Sequence, residues 1–295
     1  MNKMSVLLIA YMLLACNGQS PASPVAPAAV DTSRLSNAAN IAAIESEAAL
    51  ANGTFSFIVI GDNRSGDAIF SQLVQQMNDY AAAQSGAHKP RFVLHTGDIV
   101  PSGALSEWDN YAQLRAPLEL PMVYVPGNHE MDSADGAANY QGLVGVGNWS
   151  FDFGSSRFIG LDDSSGSFSA ESVAFLRQQL GLGGIVQAPP QHAFVLFHMP
   201  LAVGRWIVHS VKPESEGGRG GEVTAAITQG GVAAVFLGHL HLHDEMQIDG
   251  VPYIISGGGG APLVTIPLFP FPEHGFLVVH VTPLEVSWEW VSLAQ

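Results

Sequence analysis

Met122-Val123-Tyr124-Val125-Pro126-Gly127-Asn128-His129-Glu130 is a short apolar run, broken by Pro-Gly and closed by an amide, an imidazole and a carboxylate. Its first four residues read as a strand, and the Pro-Gly turn places the polar side chains at that strand's C-terminal end. The same arrangement recurs along the chain. Thr54–Ile60 runs into Gly61-Asp62, Arg91–His95 into Thr96-Gly97-Asp98, Ala193–Phe197 into His198, and Val232–Leu237 into Gly238-His239-Leu240-His241. In a sheet flanked by helices, the C-terminal ends of strands face one crevice. A single Gly-Asp is usually a turn, and Asp62 or Asp98 alone would serve as a helix cap. His198 alone would pass for a core histidine. Five such ends in order point instead to one shared site.

The intervening residues fit an α/β fold. Helical periodicity runs over 67–83, around 105–116 and over 170–180, and Trp149–Phe153 with Arg157–Leu161 reads as a hairpin. Further strands are expected near 244–256 and 275–290. Residues 202–221 and 257–275 follow neither period; the second stretch holds four consecutive glycines. Loops this long commonly carry function, so Arg205, Trp206, Arg219 and Leu268-Phe269-Pro270-Phe271 are candidates for specificity.

Composition sets limits on function. The 295 residues are 47% hydrophobic and 13% charged, which excludes a wholly disordered chain. A net charge of −15 leaves no basic footprint for nucleic acid. Anionic substrates stay within reach if bound metal ions supply positive charge locally. Eleven histidines, as many as Lys and Arg together, favour that chemistry.

Cys16 is the only cysteine, so neither an intramolecular disulfide nor a Cys-based zinc site can form. It follows Lys3 and the apolar run Val6–Ala15, which is too short to span a membrane and matches the core of a secretory signal. Leu13-Leu14-Ala15-Cys16 resembles the lipobox of bacterial lipoproteins, in which the cysteine is acylated and becomes the mature N-terminus. The expected organisation is a signal peptide over 1–15, a lipidated Cys16 with an Ala/Pro/Ser-rich tether over 16–51, and one folded domain over 52–295. That places an exported, membrane-anchored protein on the periplasmic or extracellular side.

Taken together, Gly61-Asp62, Gly97-Asp98, Gly127-Asn128-His129-Glu130, His198-Met199-Pro200 and Gly238-His239-Leu240-His241 resemble the calcineurin-like metallophosphoesterase superfamily. The resemblance implies a double β-sandwich flanked by helices, four layers in all, hydrolysing a phosphate mono- or diester. It also implies two divalent ions (Mn, Fe, Zn or Ni) with a bridging hydroxide as nucleophile. Asp98 would be shared, Asp62 and His241 would complete one ion, and Asn128, His198 and His239 the other. His129 would act on the leaving-group oxygen.

Two positions depart from the family pattern. Arg64 stands where a second metal-binding histidine is usual, and a guanidinium cannot ligate a metal but can bind phosphate. Pro101 stands where some members place an aspartate that orients the catalytic histidine, and it also excludes the iron-binding tyrosine of purple acid phosphatases. A lipid-anchored metal- or phosphate-binding protein without turnover is the alternative these departures raise. His239-Leu240-His241-Leu242-His243-Asp244 also resembles a metallo-β-lactamase motif, but its last two residues are reversed.

Overall fold

Phe55–Ile60 (β1) is buried along its whole length, and its two faces enter different apolar clusters. Phe55, Phe57 and Val59 point one way; Ile58 and Ile60 point the other. A strand apolar on both faces belongs in the middle of a covered sheet. In the computed structural model, which describes residues 30–50, 53–182, 184, 190–207, 210–212, 217–265 and 272–294, it lies there.

The first sheet runs β11-β10-β1-β2-β3, with β2 at Pro90–His95, β3 at Met122–Tyr124, β10 at Gly275–Val281 and β11 at Val286–Ser292. The second runs β4-β5-β6-β7-β9-β8: Trp149–Phe153, Ser156–Gly160, His192–Leu196, Ala234–Leu237, Val251–Ser256 and His243–Ile248. Between the sheets lies an aromatic layer in which Phe57 and Phe158 meet edge to face at 5.2 Å, as do Phe92 and Phe158. That geometry suits the ring quadrupoles. Helices α2 (Asp67–Ala83) and α3 (Leu105–Arg115) cover the outer face of the first sheet. Helices α4 (Ala170–Gln179) and α5 (Gly220–Gln229) cover that of the second. The fold is the expected α/β double sandwich in four layers.

β1, β2 and β3 are mutually parallel, as are β5, β6 and β7. Their C-terminal ends therefore open at a common edge, and the chain ordered after them forms the site.

The expected domain boundary at residue 52 needs correcting. Asn37–Glu47 is a helix (α1), started by Ser36, whose hydroxyl accepts from the Ala39 N–H. Leu35 and Ile44 are buried against the core. Asn37 closes the free edge of β3: its amide donates to the Tyr124 carbonyl at 2.8 Å and accepts from the Tyr124 N–H at 2.9 Å. An Ala/Asn/Ser-rich composition reads as a tether, but this edge supplies the partners that fold it. The signal, Cys16 and Leu268–Phe271 lie outside the described residues.

Candidate metal centre

Asp62, Asp98 and His239 all have left-handed backbones, with φ of 60°, 55° and 69°. Such values are uncommon for residues other than glycine and collect where the surrounding structure enforces them. Here the loops enforce one another. Asp62 N–H donates to the Gly97 carbonyl at 3.0 Å, and Arg64 N–H to the Asp98 carbonyl at 3.1 Å. Gly61 and Gly127 lie so close to Thr96 and to the Asp98 carboxylate that any β-carbon would collide.

Two groups of donor atoms share Asp98, each with its ligand atoms within 4.8 Å of one another: Asp98, His198 and His239, and Asp62, Asp98 and His241. In the first, His198 Nδ1–H donates to the Thr96 carbonyl at 2.8 Å, so Nε2 faces inward. That nitrogen is 3.2 Å from Asp98 Oδ1, 3.3 Å from Asn128 Oδ1 and 3.2 Å from His239 Nδ1. Asn128 Oδ1 lies 3.1 Å from His239 Nδ1. Carboxylate, amide oxygen and imidazole lone pairs thus converge on one point, an arrangement that fits a bound cation. Lacking thiolate, the set suits first-row divalent metals.

The second group is less open. His241 Nδ1–H donates to the Pro262 carbonyl at 2.8 Å, turning Nε2 to within 3.8 Å of Asp62 Oδ1. Both Asp62 oxygens accept the His239 N–H. Arg64 enters this group, with Nε 3.1 Å from Asp98 Oδ2 and Nη2 3.5 Å from His241 Nε2.

The field at the centre is strongly negative. Burial alone would lower the pKa of His198, yet the carboxylates of Asp98, Asp62 and Asp163 raise it to about 10. Burial opposes ionisation of Asp98 too, but His198 outweighs it and holds that carboxyl far below the ordinary range. Asp62 is pushed up, first by burial and then by the charge of Asp98. Such perturbed groups gathered at one cleft mark functional sites.

A second tier holds the ligand loops. Glu130, fully buried, accepts four backbone N–H groups, from Asp98, Ile99, Val100 and Gly127, at 2.6–3.0 Å. Asp163 accepts the N–H of His198 and Met199 at 2.9 and 2.8 Å. His95 Nε2 is 2.7 Å from Asn63 Oδ1, tying the first two loops together. Glu130 stood in the sequence motif without a role, and Asp163 carried no signal beyond its place after β5.

His129 points Nε2 to within 3.9 Å of Asp98 Oδ2, while Nδ1 lies 2.9 Å from both the Pro101 carbonyl and Asp132 Oδ2. The orienting group absent from the side chain at 101 is therefore supplied by that residue's backbone and by Asp132.

Other expectations change. In an extended segment, alternation would put His239 and His241 on one face. Instead 238–242 folds through successive i→i+2 turns, Leu240 N–H to Gly238 O and Leu242 N–H to Leu240 O. The turns, not strand alternation, send the two rings into the two groups. Trp206 is buried and donates to Asp244, Arg205 forks onto the same carboxylate, and Arg219 pairs with Glu222, so these side chains pack and brace their loops.

The calcineurin-like phosphoesterase family model matches residues 55–243, a span that takes in every ligand candidate. The chain belongs to this family. This phosphoesterase is 28% identical to the serine/threonine-protein phosphatase CPPED1 of Danio rerio over 255 residues, covering 80% of each chain. It is 27% identical over 123 residues to the 3',5'-cyclic adenosine monophosphate phosphodiesterase CpdA of Pseudomonas aeruginosa, covering 38% of this chain and 41% of that one. Its fold resembles the purple acid phosphatase PPD1 from yellow lupin seeds, with a TM-score of 0.62 at 17% identity, covering 81% of this chain and 51% of the other. The chain is a metal-binding phosphoric ester hydrolase, and the reading without turnover is not favoured.

Proposed function

We propose that this phosphoesterase acts at a centre in which Asp98, Asn128, His198 and His239 hold a divalent ion, with Asp62 and His241 beside it. The observation that carries the reading is the convergence of four lone-pair donors on one point at the C-terminal ends of parallel strands. A divalent ion held there supplies Lewis acidity to the phosphoryl oxygens and to the attacking water. Around it the chain's own residues do the rest. Arg64, about one-fifth exposed, presents its remaining N–H groups to the phosphate oxygens. His129, fixed through Nδ1, presents Nε2 to the leaving-group oxygen and returns a proton to it. Glu130 and Asp163 hold the ligand loops rigid, so little reorganisation accompanies reaction.

Similarity to a named protein phosphatase over most of the chain supports a phosphate monoester as substrate. The shorter similarity to a cyclic-nucleotide phosphodiesterase keeps diesters as the second reading. The apolar run ending at Cys16 supports a location outside the cytoplasmic membrane, with acyl chains on Cys16 as the anchor. The test is a panel of aryl and alkyl phosphate mono- and diesters, assayed after chelation and reloading with Mn, Zn, Ni or Fe. Metal-restored hydrolysis of monoesters above diesters is the expected result. Hydrolysis unaffected by chelation would overturn the reading.

A further inference from the structure

We propose that the Arg64 guanidinium takes the place of one of the two metal ions expected from the family pattern, so that the centre binds a single divalent ion. The inference rests on the phosphoesterase reading above and concerns how its positive charge is supplied.

The two donor groups differ in what they lack. Around Asp98, Asn128, His198 and His239, oxygen and imidazole nitrogen atoms that can ligate a metal stand 3.1–3.3 Å apart with no fixed cation among them. A divalent ion entering there would displace only the His198 proton. Around Asp62, Asp98 and His241 the donor is already present. His241 Nδ1 is committed to the Pro262 carbonyl, and its Nε2 lone pair meets an N–H of Arg64 at 3.5 Å. The Arg64 Nε–H reaches Asp98 Oδ2, the second oxygen of the shared carboxylate, at 3.1 Å.

Arg64 is held there by more than its side chain. Its own N–H donates to the Asp98 carbonyl, and the flanking Asp62 and Ser65 both have left-handed backbones. The turn thus fixes the arginine Cα beside the shared ligand. A guanidinium stays charged at every working pH, so a divalent ion entering the same group would meet a fixed like charge. Arg64 also keeps N–H groups beyond those on Asp98 and His241, which can take a phosphate oxygen, the task the second ion would otherwise perform.

Manganese(II) stoichiometry tests this directly. The full chain is stripped with chelator and titrated with manganese(II), with bound metal measured by elemental analysis after equilibrium dialysis and by electron paramagnetic resonance. Wild type should bind one ion per chain and show the spectrum of an isolated ion. Arg64→His, which restores the imidazole of the family pattern, should bind two and show exchange coupling. Arg64→Gln serves if Arg64→His does not fold; removing the positive charge should admit a second, weaker ion. Two tight ions in wild type would overturn the inference, and so would one ion in every folded variant. No bound ion in wild type, together with hydrolysis indifferent to metal, would overturn the functional reading itself.

Discussion

Replacing Glu130 with alanine should destabilise this protein more than any single exposed substitution, for a reason that can be counted. Its carboxylate accepts four buried N–H groups, from Asp98, Ile99, Val100 and Gly127. Each buried donor left unsatisfied costs roughly 1–3 kcal/mol. Four orphaned groups would cost about 4–12 kcal/mol, and water entering the vacated space should bring the loss toward the lower end, ~4 kcal/mol. That is a large share of the typical ~5–15 kcal/mol that keeps a protein folded. At roughly 2–4 °C per kcal/mol for a domain of this class, the midpoint should fall by on the order of 10 °C. Urea unfolding of metal-free wild type and Glu130→Ala at pH 8, where the carboxyl is ionised as the count assumes, would measure it. The pH dependence provides a second check. Burial, then the charge of Asp98, pushes the Glu130 carboxyl up to about 7. A carboxyl raised in the folded state contributes stability below its unfolded pKa and loses it as pH rises through the folded one. Wild type should therefore lose part of its advantage over the variant between pH 5 and 8. A difference under about 1 kcal/mol at pH 8 would refute the claim that Glu130 organises the ligand loops.

Three further outcomes are expected. His129→Ala should lose about 10²–10⁴-fold on alkyl phosphate esters and much less on nitrophenyl esters, whose leaving groups depart unaided, at unchanged metal content; equal losses on both would reduce His129 to a phosphate-positioning role. Asp132→Asn should reproduce that leaving-group pattern more weakly, roughly 10-fold, because Nδ1 keeps the Pro101 carbonyl, and an unchanged alkyl-ester rate would remove Asp132 from the account. Cys16→Ser should release soluble protein or block maturation, and fractionation showing equal membrane retention would refute lipid anchoring.

Most of the centre was legible from sequence because it rests on a local rule. Each ligand candidate follows an apolar strand, and parallel strands bring their ends together whatever the details of packing. Asp62, Asp98, Asn128, His198, His239 and His241 therefore meet where the strand ends suggest. What stayed hidden depends on partners distant in sequence or on backbone groups. Helix α1 is held by the edge of β3, and nothing in its own Ala- and Asn-rich residues announces that contact. Glu130 and Asp163 act on backbone N–H groups, which leave no residue-type signal. Asp132 is only three residues from His129, yet a helical turn is needed to bring the two together. The turns over 238–242 leave no mark in the sequence, because the alternation of His239 and His241 suits an extended chain equally well. Arg64 was recognisable as a departure, but its reach to both Asp98 and His241 required the fold.

The central claim is that phosphate-ester chemistry occurs over Asp98, Asn128, His198 and His239, with Arg64 and His129 on the substrate. A crystal of manganese-loaded protein grown with inorganic phosphate tests it most directly, through an anomalous difference map. The account predicts an anomalous peak in contact with those four side chains, and a phosphate beside it touching Arg64 and His129. Metal bound away from Asp98, or phosphate bound out of reach of both Arg64 and His129, would contradict it.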